Sequence, residues 1–523
     1  MTSIRATLAM KAAIAAALVI LADQLFFAHR PGATAGVFAL IAIAGVWLAR
    51  PGLWRDARAA VALGLAALLA LAMVDRPSLL VWGLYALAVT VAVLSPRVAR
   101  GEPGWRWIQR LVVHLVTAAV GPLIDAVHRL AAQRKRRAIR AGSIMRMVAL
   151  IALPLFGGLV FLALFAAANP LISDALSRLR PPALSVETVV RTIFCGLVAV
   201  SAWAALRPRW RRKLLSLPSL GERALPGVTT ASVTLSLIVF NLLFALQNGL
   251  DVAFLWSGAP LPDGTTLASY AHRGAYPLIL TALLAGAFVL ITLRPGSETA
   301  NRPMVRALVM VWVAQNMLLV ASSLLRTIDY VEVFSLTRLR LAAMIWMVLV
   351  GLGLLLICWR LLRNRSAHWL INANLVTTLT VLAAIGVINL GPTVAAWNVR
   401  HAAEVDGKGA VLDLCYMSKL GPAALVSLAE LEQATREPLF KARIASVRWQ
   451  AQRTVMERQS HRRGWTWRDA RRLARARSLV GWEKPDLGPL SRDCDGEPIP
   501  PPPPPVVLTT PPVASPLTST AGH

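Results

Sequence analysis
Charge is scarce in this chain. Asp, Glu, Lys and Arg make up only 15% of its 523 residues, against about 25% in a soluble domain. That shortage excludes an ordinary cytosolic enzyme. It also excludes a disordered chain, which combines low hydrophobicity with high charge. Cysteine numbers four, too few for a disulfide scaffold. Lysine is nearly missing from the basic set: 7 Lys stand beside 48 Arg, against 26 acids, for a net charge of +29. There is no Gly-rich loop closing in Lys-Ser or Lys-Thr, no His-Glu-x-x-His and no Gly-x-Ser-x-Gly, so P-loop, zincin and hydrolase chemistries find no footing. The eight histidines show no metal-ligand spacing. No catalytic residue, metal or cofactor is expected.

What the chain has is apolar length. Hydrophobic residues reach 56% and mean hydropathy is +0.58. A spanning helix needs about 20 mostly apolar residues. Eleven runs qualify: Leu8–Phe27, Ala33–Ala49, Ala59–Val74, Leu79–Leu94, Met147–Ala168, Thr188–Leu206, Val228–Asn248, Tyr276–Leu293, Ala307–Leu325, Leu341–Cys358 and Trp369–Leu390. The third and fourth are short. Arg5 and Lys11 could flank a signal peptide in the first run, but no small-x-small cleavage site follows. The expected fold class is all-α: a polytopic transmembrane bundle of about 11 spans with a small helical extracytoplasmic C-terminal tail.

Orientation follows from Lys and Arg in alternate loops. One set (50–58, 95–146, 207–227, 294–306, 359–368) carries 26, and the other carries 8. The positive-inside rule places the first set, and with it the N-terminus, in the cytoplasm. The tail then lies outside. The expected organisation is a four-span group over 1–94, a basic cytoplasmic segment over 95–146, a seven-span core over 147–390, a helical tail over 391–484 and a Pro-rich end over 485–523. In 95–146, Trp105, Trp107, Ile108, Leu111, Val112, Leu115 and Val116 outline an apolar helical face, suited to an anionic leaflet or to simple positive-inside anchoring.

In the tail, 410–435 reads as a helical hairpin broken at Gly421-Pro422 and packed on the membrane domain. Residues 437–484 carry 13 basic groups, four acids, and Trp449, Trp465, Trp467 and Trp482. Glu437 and Lys441 form an i,i+4 pair. The stretch is expected to dock on anionic lipid or an anionic envelope partner. No aromatic-and-basic recognition motif points to nucleic acid. Cys415 and Cys494 share this tail, where a disulfide is permitted, and their pairing stays open. Oligomeric state is not legible.

Polar residues recur at the outer ends of spans seven to nine. Asn241, Gln247 and Asp251 close span seven, and the following loop holds Tyr270 and Arg273. Gln315, Arg326 and Asp329 share one helical face, with Asn316 beside it. Tyr330, Glu332, Thr337, Arg338 and Arg340 follow, and span eleven adds Asn374. Such groups either line an outward-opening cavity, charged by Arg326, Asp329, Glu332 and Arg273, or hydrogen-bond between helices. Arg326 is expected to pair with Asp329 or Glu332 locally, or with Asp251 across spans seven and nine.

Pro262-Asp-Gly-Thr-Thr-Leu-Ala-Ser-Tyr270 with Arg273-Gly274, then Arg326, Tyr330 and Leu336-Thr-Arg-Leu-Arg340, then Asp413-Leu-Cys-Tyr416 with Leu420-Gly-Pro-Ala-Ala-Leu425, carry a resemblance. The chain resembles the bacterial membrane family catalogued as domain of unknown function 4173 and its sister family 4153, over about 145–430 with weaker similarity at Trp465–Arg472. Ala275 and Ser335 depart from that pattern. The resemblance implies a multi-span membrane protein and assigns no catalytic residue. Three functions remain in competition. They are a non-enzymatic envelope or signalling component, a permease using the outward pocket, and an intramembrane transferase or hydrolase around His272, Asp329 and Glu332.

Overall fold
A computed structural model describes residues 2–136, 185–208, 229–256, 302–363, 365–407, 409–487 and 492–498, together with Leu284 and Leu490. In chain order the helices are α1 Thr2–Phe26, α2 Thr34–Ala49, α3 Ala57–Asp75, α4 Leu79–Leu94, α5 Gly104–Arg136, α6 Val186–Leu206, α7 Thr230–Asp251, α8 Pro303–Phe334, α9 Arg338–Leu362, α10 Ala367–Ile388 and α11 Leu390–Arg400. The tail adds α12 Leu414–Leu420, α13 Leu425–Ala434, α14 Pro438–Ser460 and α15 Trp467–Val480. No strand occurs among the described residues. Eight helices (α1, α3, α4 and α6–α10) are long and apolar enough to cross a membrane. At 16 residues, α2 is apolar but shorter. Met147–Ala168 and Tyr276–Leu293 lie outside the described residues.

Small residues set the packing of the first spans. On α2 the buried Ala35, Gly36, Ala39, Gly45 and Val46 let neighbours close in on two sides: Gly36 packs on Ala70 of α3 and Gly45 on Ile14 of α1, and Ala39 and Val46 share a core with Ala59, Ala66 and Ala70 of α3. A Cβ on Gly36 would stand 2.4 Å from the Ala70 carbonyl oxygen, so only glycine permits this approach. In lipid, such close contact replaces the hydrophobic effect as the attraction between helices. The Tyr85 hydroxyl of α4 donates to the Ala39 carbonyl at 2.8 Å, joining three helices.

Long-range contacts sort the loops into two groups. At one end the Ala33 amide donates to the Trp465 carbonyl at 2.6 Å. There Arg468 holds Asp75 at 2.7 Å and donates to the Val387 carbonyl at 2.8 Å, at the ends of α3 and α10. At the other end Arg50 donates to Val93 at 3.0 Å, Arg97 to Pro208 at 2.8 Å and Arg306 to Leu361 at 2.8 Å. This is the division into two sets that the basic-residue count makes. α4 and α6 run in the same direction, as do α7 and α8.

The expected amphipathic helix is present as α5. It straps the basic end: the Gly104 amide donates to Asn372 of α10 at 2.9 Å, and Asp125 accepts from Trp203 of α6 at 2.9 Å. Val112, Leu115 and Val116 of its apolar face are exposed.

The tail forms a cap. α12 and α13 meet at Gly421, whose φ of +55° suits glycine. Leu414, Met417, Leu420, Leu428, Ile444 and Val447 share a core with Val331 and Leu336 of the membrane helices and Val394 of α11. Arg448, 1% exposed, is held by Glu432 at 2.8 Å and by Gln452 at 2.7 Å. Cys415 and Cys494 are bonded to each other across 79 residues.

Two expectations change here. Glu437 does not pair with Lys441; it caps α14 by accepting from the Phe440 amide at 3.2 Å. Residues 437–484 are not one basic stretch but two helices packed into the cap. Seven of the 13 cations are spent on acids within the protein: Arg448, Arg453, Arg458, Arg468, Arg471, Arg472 and Arg475. Trp482 lies under Arg477 at 3.5 Å, and Trp465 meets Trp467 edge-on. The reason is distance in the chain: Asp75 answers Arg468 and Arg471 from almost 400 residues away. Burial lowers the basicity of Arg472, and Asp469 beside it pulls the other way.

The seat of the cap on the α1–α2 loop is a glycine contact. A Cβ on Gly32 would lie 2.5 Å from the Arg463 and Trp465 carbonyl oxygens. Gly32→Val should weaken that seat by about 1–3 kcal/mol, the usual cost of overpacking. Trypsin should then cut at Arg462 and Arg463 faster than in wild type, while the spans still insert.

Candidate functional site
α7 and α8 run parallel and exchange polar contacts at a constant offset. Thr229 and Ser232 close a capping box at the start of α7, and Pro303 opens α8. From there Asn241 donates to the Leu308 carbonyl at 3.1 Å and Asn248 to the Gln315 carbonyl at 3.1 Å. The Gln315 side chain returns to Asn241 at 3.2 Å. Seven residues separate Asn241 from Asn248, and seven separate Leu308 from Gln315, the repeat that keeps one seam facing its partner. The seam ends in a buried ion pair. Arg326, at 7% side-chain exposure, contacts Asp251 at 0%. Gln247 adds a hydrogen bond to Asp251 at 3.0 Å. Beyond it Trp256 donates to Ser322 at 3.2 Å. The amide oxygens of Asn248, Gln315 and Asn316 stay buried without a hydrogen-bond partner.

The second polar cluster is a corner. Arg340 stacks over Tyr330, 4.4 Å from its ring centroid, and donates to the Phe334 carbonyl at 2.6 Å, satisfying the end of α8. Ser335 turns the chain at φ +64°. Thr337 caps α9 by accepting from the Arg340 amide at 3.2 Å. Asn398 of α11 grips Leu336 twice, accepting from its amide at 2.8 Å and donating to its carbonyl at 2.9 Å. The Arg338 amide donates to the Tyr416 hydroxyl at 2.7 Å. Of the described residues that carry the family resemblance, Tyr330, Leu336–Arg340 and Tyr416 therefore build the joint between span and cap.

Of the candidate residues, Asn241, Gln247, Asp251, Gln315 and Arg326 come together. Asn316 bonds back to Trp312 on its own helix at 2.7 Å. Asp329 is half-buried and Glu332 exposed, and neither meets Arg326, because three and six residues further along α8 they point off the seam. Asn374 bonds to the Leu370 carbonyl at 3.0 Å and faces Gly353 of α9 instead. Asn372 sits at the opposite end, on Gly104. Tyr270, His272 and Arg273 lie outside the described residues. A small cavity lies between α5 and α6, lined by His114, Thr117, Gly121, Trp203 and Arg207, with room for about one water. Burial lowers the basicity of His114.

Sequence reasoning missed Asp75, Asn398 and the Glu432–Arg448–Gln452 cluster. It also missed that Asp23 and Arg191, charges within the first and sixth runs, are partners, at 2.6 Å between α1 and α6, with Arg191 also over Phe27. A lone mid-span charge was itself the clue, since such a group needs a partner.

These apolar helices, gathered loops and interhelical polar contacts define a multi-span integral membrane protein. Its family is shown by a match over residues 62–431 to Domain of unknown function (DUF4153), and the chain belongs to that family. The match begins inside α3, so it takes in the third and fourth spans, which the sequence resemblance left out. No curated protein and no solved structure matches the chain.

Proposed function
We propose that this is a non-enzymatic component of a bacterial cell envelope, crossing the inner membrane eleven times, with its N-terminus in the cytoplasm and its cap outside. The observation that carries the reading is the disulfide-closed cap clamped on Asp75. A disulfide persists in an oxidising compartment, and the loops at the far end carry most of the basic residues. Two independent rules thus favour the same side. The cap seals its own core and uses its cations on its own acids and on Asp75 of the bundle, which suits a rigid external platform. A permease is the second reading, and the polar seam ending in Asp251–Arg326 favours it. In that case the seam would open outward beside the loop holding Tyr270 and Arg273. The related 4173 pattern supports neither reading over the other.

Reporter fusions after Arg50, Arg140, Arg212 and Arg363 should report cytoplasm, and fusions at Asp263 and Ser460 the outside. A cytoplasmic result at Ser460 with Asp263 outside would overturn the placement of the cap. Removing residues 437–523 should abolish rescue of a strain lacking the protein while the Asp263 reporter still reads outside. Full rescue by the truncated chain would move the weight to the permease.

A further inference from the structure
The basic end holds a cluster that neither reading uses. Four cations arrive there from four helices. Lys11 lies in the second turn of the α1 span, half-buried. Arg50 follows α2, Arg97 closes the short turn after α4, and Arg207 follows α6. A Cβ on Gly45 of α2 would stand 2.9 Å from Ile14, one turn beyond Lys11 on α1, so Lys11 lies at the end of α2 that Arg50 follows. Burial brings Arg50 down to about 10, and Arg97 adds to the effect. Of the four, Arg207 has an acid, Asp125 at 3.2 Å. Lys11, Arg50 and Arg97 have no carboxylate in ion-pair reach among the described residues.

Helix ends answer part of this charge. Arg50 and Arg97 donate to the carbonyls of Val93 and Pro208, and each of three helix C-termini offers about half a negative charge. Among the described residues, four cations stand against Asp125 and those three ends, an excess of about one and a half positive charges. The surface beside the cluster is apolar: Trp47, Leu48 and Trp54 are 45%, 58% and 54% exposed. Tryptophan of this kind marks headgroup depth. An anion that meets both features has a charged head and apolar tails.

We propose that Lys11, Arg50 and Arg97, with Arg207 behind them, bind the phosphate of an anionic glycerophospholipid of the leaflet at this end, its acyl chains lying along Trp47, Leu48 and Trp54. Lys11 and the arginines supply charge-assisted hydrogen bonds to the phosphate oxygens. A soluble phosphate would leave the apolar surface unused.

The test uses the full-length protein in nanodiscs of phosphatidylcholine, with and without phosphatidylglycerol, reading thermal stability and retained phosphatidylglycerol by mass spectrometry. Wild type should be stabilised by phosphatidylglycerol and should carry it through purification. Lys11→Gln makes no demand on folding, because Lys11 holds no other group in place. It should lower apparent phosphatidylglycerol affinity about fivefold, the weight of one cation near an anionic surface. In pure phosphatidylcholine it should be at least as stable as wild type, because a repulsion has been removed. Arg97→Gln should reproduce the loss of affinity. Equal phosphatidylglycerol retention by wild type and Lys11→Gln would overturn the site. Millimolar inorganic phosphate stabilising the phosphatidylcholine sample as well as phosphatidylglycerol does would overturn the lipid as its occupant.

Discussion

Asp251→Ala should be the most damaging single substitution in the membrane core. It leaves the Arg326 guanidinium buried without its carboxylate, and breaking a buried ion pair from one side costs about 3–5 kcal/mol. The Gln247 side chain loses its acceptor at the same time. The polar links along the seam, at about 0.6 kcal/mol each in a membrane, cannot offset that loss. The expected result is a sharp fall in monodisperse protein and in thermal midpoint in detergent. Asp251→Leu with Arg326→Met should recover most of the stability, because the pair is costly to desolvate and apolar groups are not. If Asp251→Ala matches wild type, the pair does not hold α7 on α8. A stable double variant that fails to rescue a deletion strain would assign the seam to function rather than to packing.

Cys415→Ser should have the second-largest effect. The bond closes a 79-residue loop, and the chain-entropy estimate for a loop of that length is about 4 kcal/mol. The bond ties the turn at 492–498 to the cap, where Arg443 also donates to the Cys494 carbonyl at 3.0 Å. Losing it should free that turn and expose the Leu412–Leu414 edge of the core. Proteolysis of the tail under non-reducing conditions should rise strongly in the variant, and a thiol reductant should make wild type behave the same way. Alkylation of Cys415 in intact cells without reductant would show the bond absent and would remove the chemical support for an external cap.

The spans were legible because a run of about 20 apolar residues has few other uses. Loop charge also read correctly as a division into two ends. The Arg326–Asp251 pair was legible as one of three options, since a buried guanidinium demands an acid. Its geometry was not, because Asp329 and Glu332 are nearer in sequence yet turn away on α8. The tail was half legible. Helices and the break at Gly421 showed locally, but the fate of its cations did not. Composition counts Arg448, Arg468 and Arg472 as surface charge. Only the fold reveals Glu432, Asp75 and Asp469 against them. The motif Leu336–Arg340 marked an important place, and its hydroxyl, guanidinium and backbone groups work as caps and clamps rather than as reagents.

The cap also orders events in time. Ribosomes deliver the chain from its N-terminus, so the α1–α2 loop is made long before residues 461–468 exist. Yet Arg463 reaches His29 across 434 positions, and Arg468 reaches Asp75 across 393. A segment made late is the one that meets the first loop. A bundle with a misplaced early span offers no Gly32 seat and no Asp75 anchor, and its cap stays open, with apolar core and arginine-rich helices accessible to quality-control proteases. Closure of the cap therefore requires both a completed polypeptide and correctly placed opening turns.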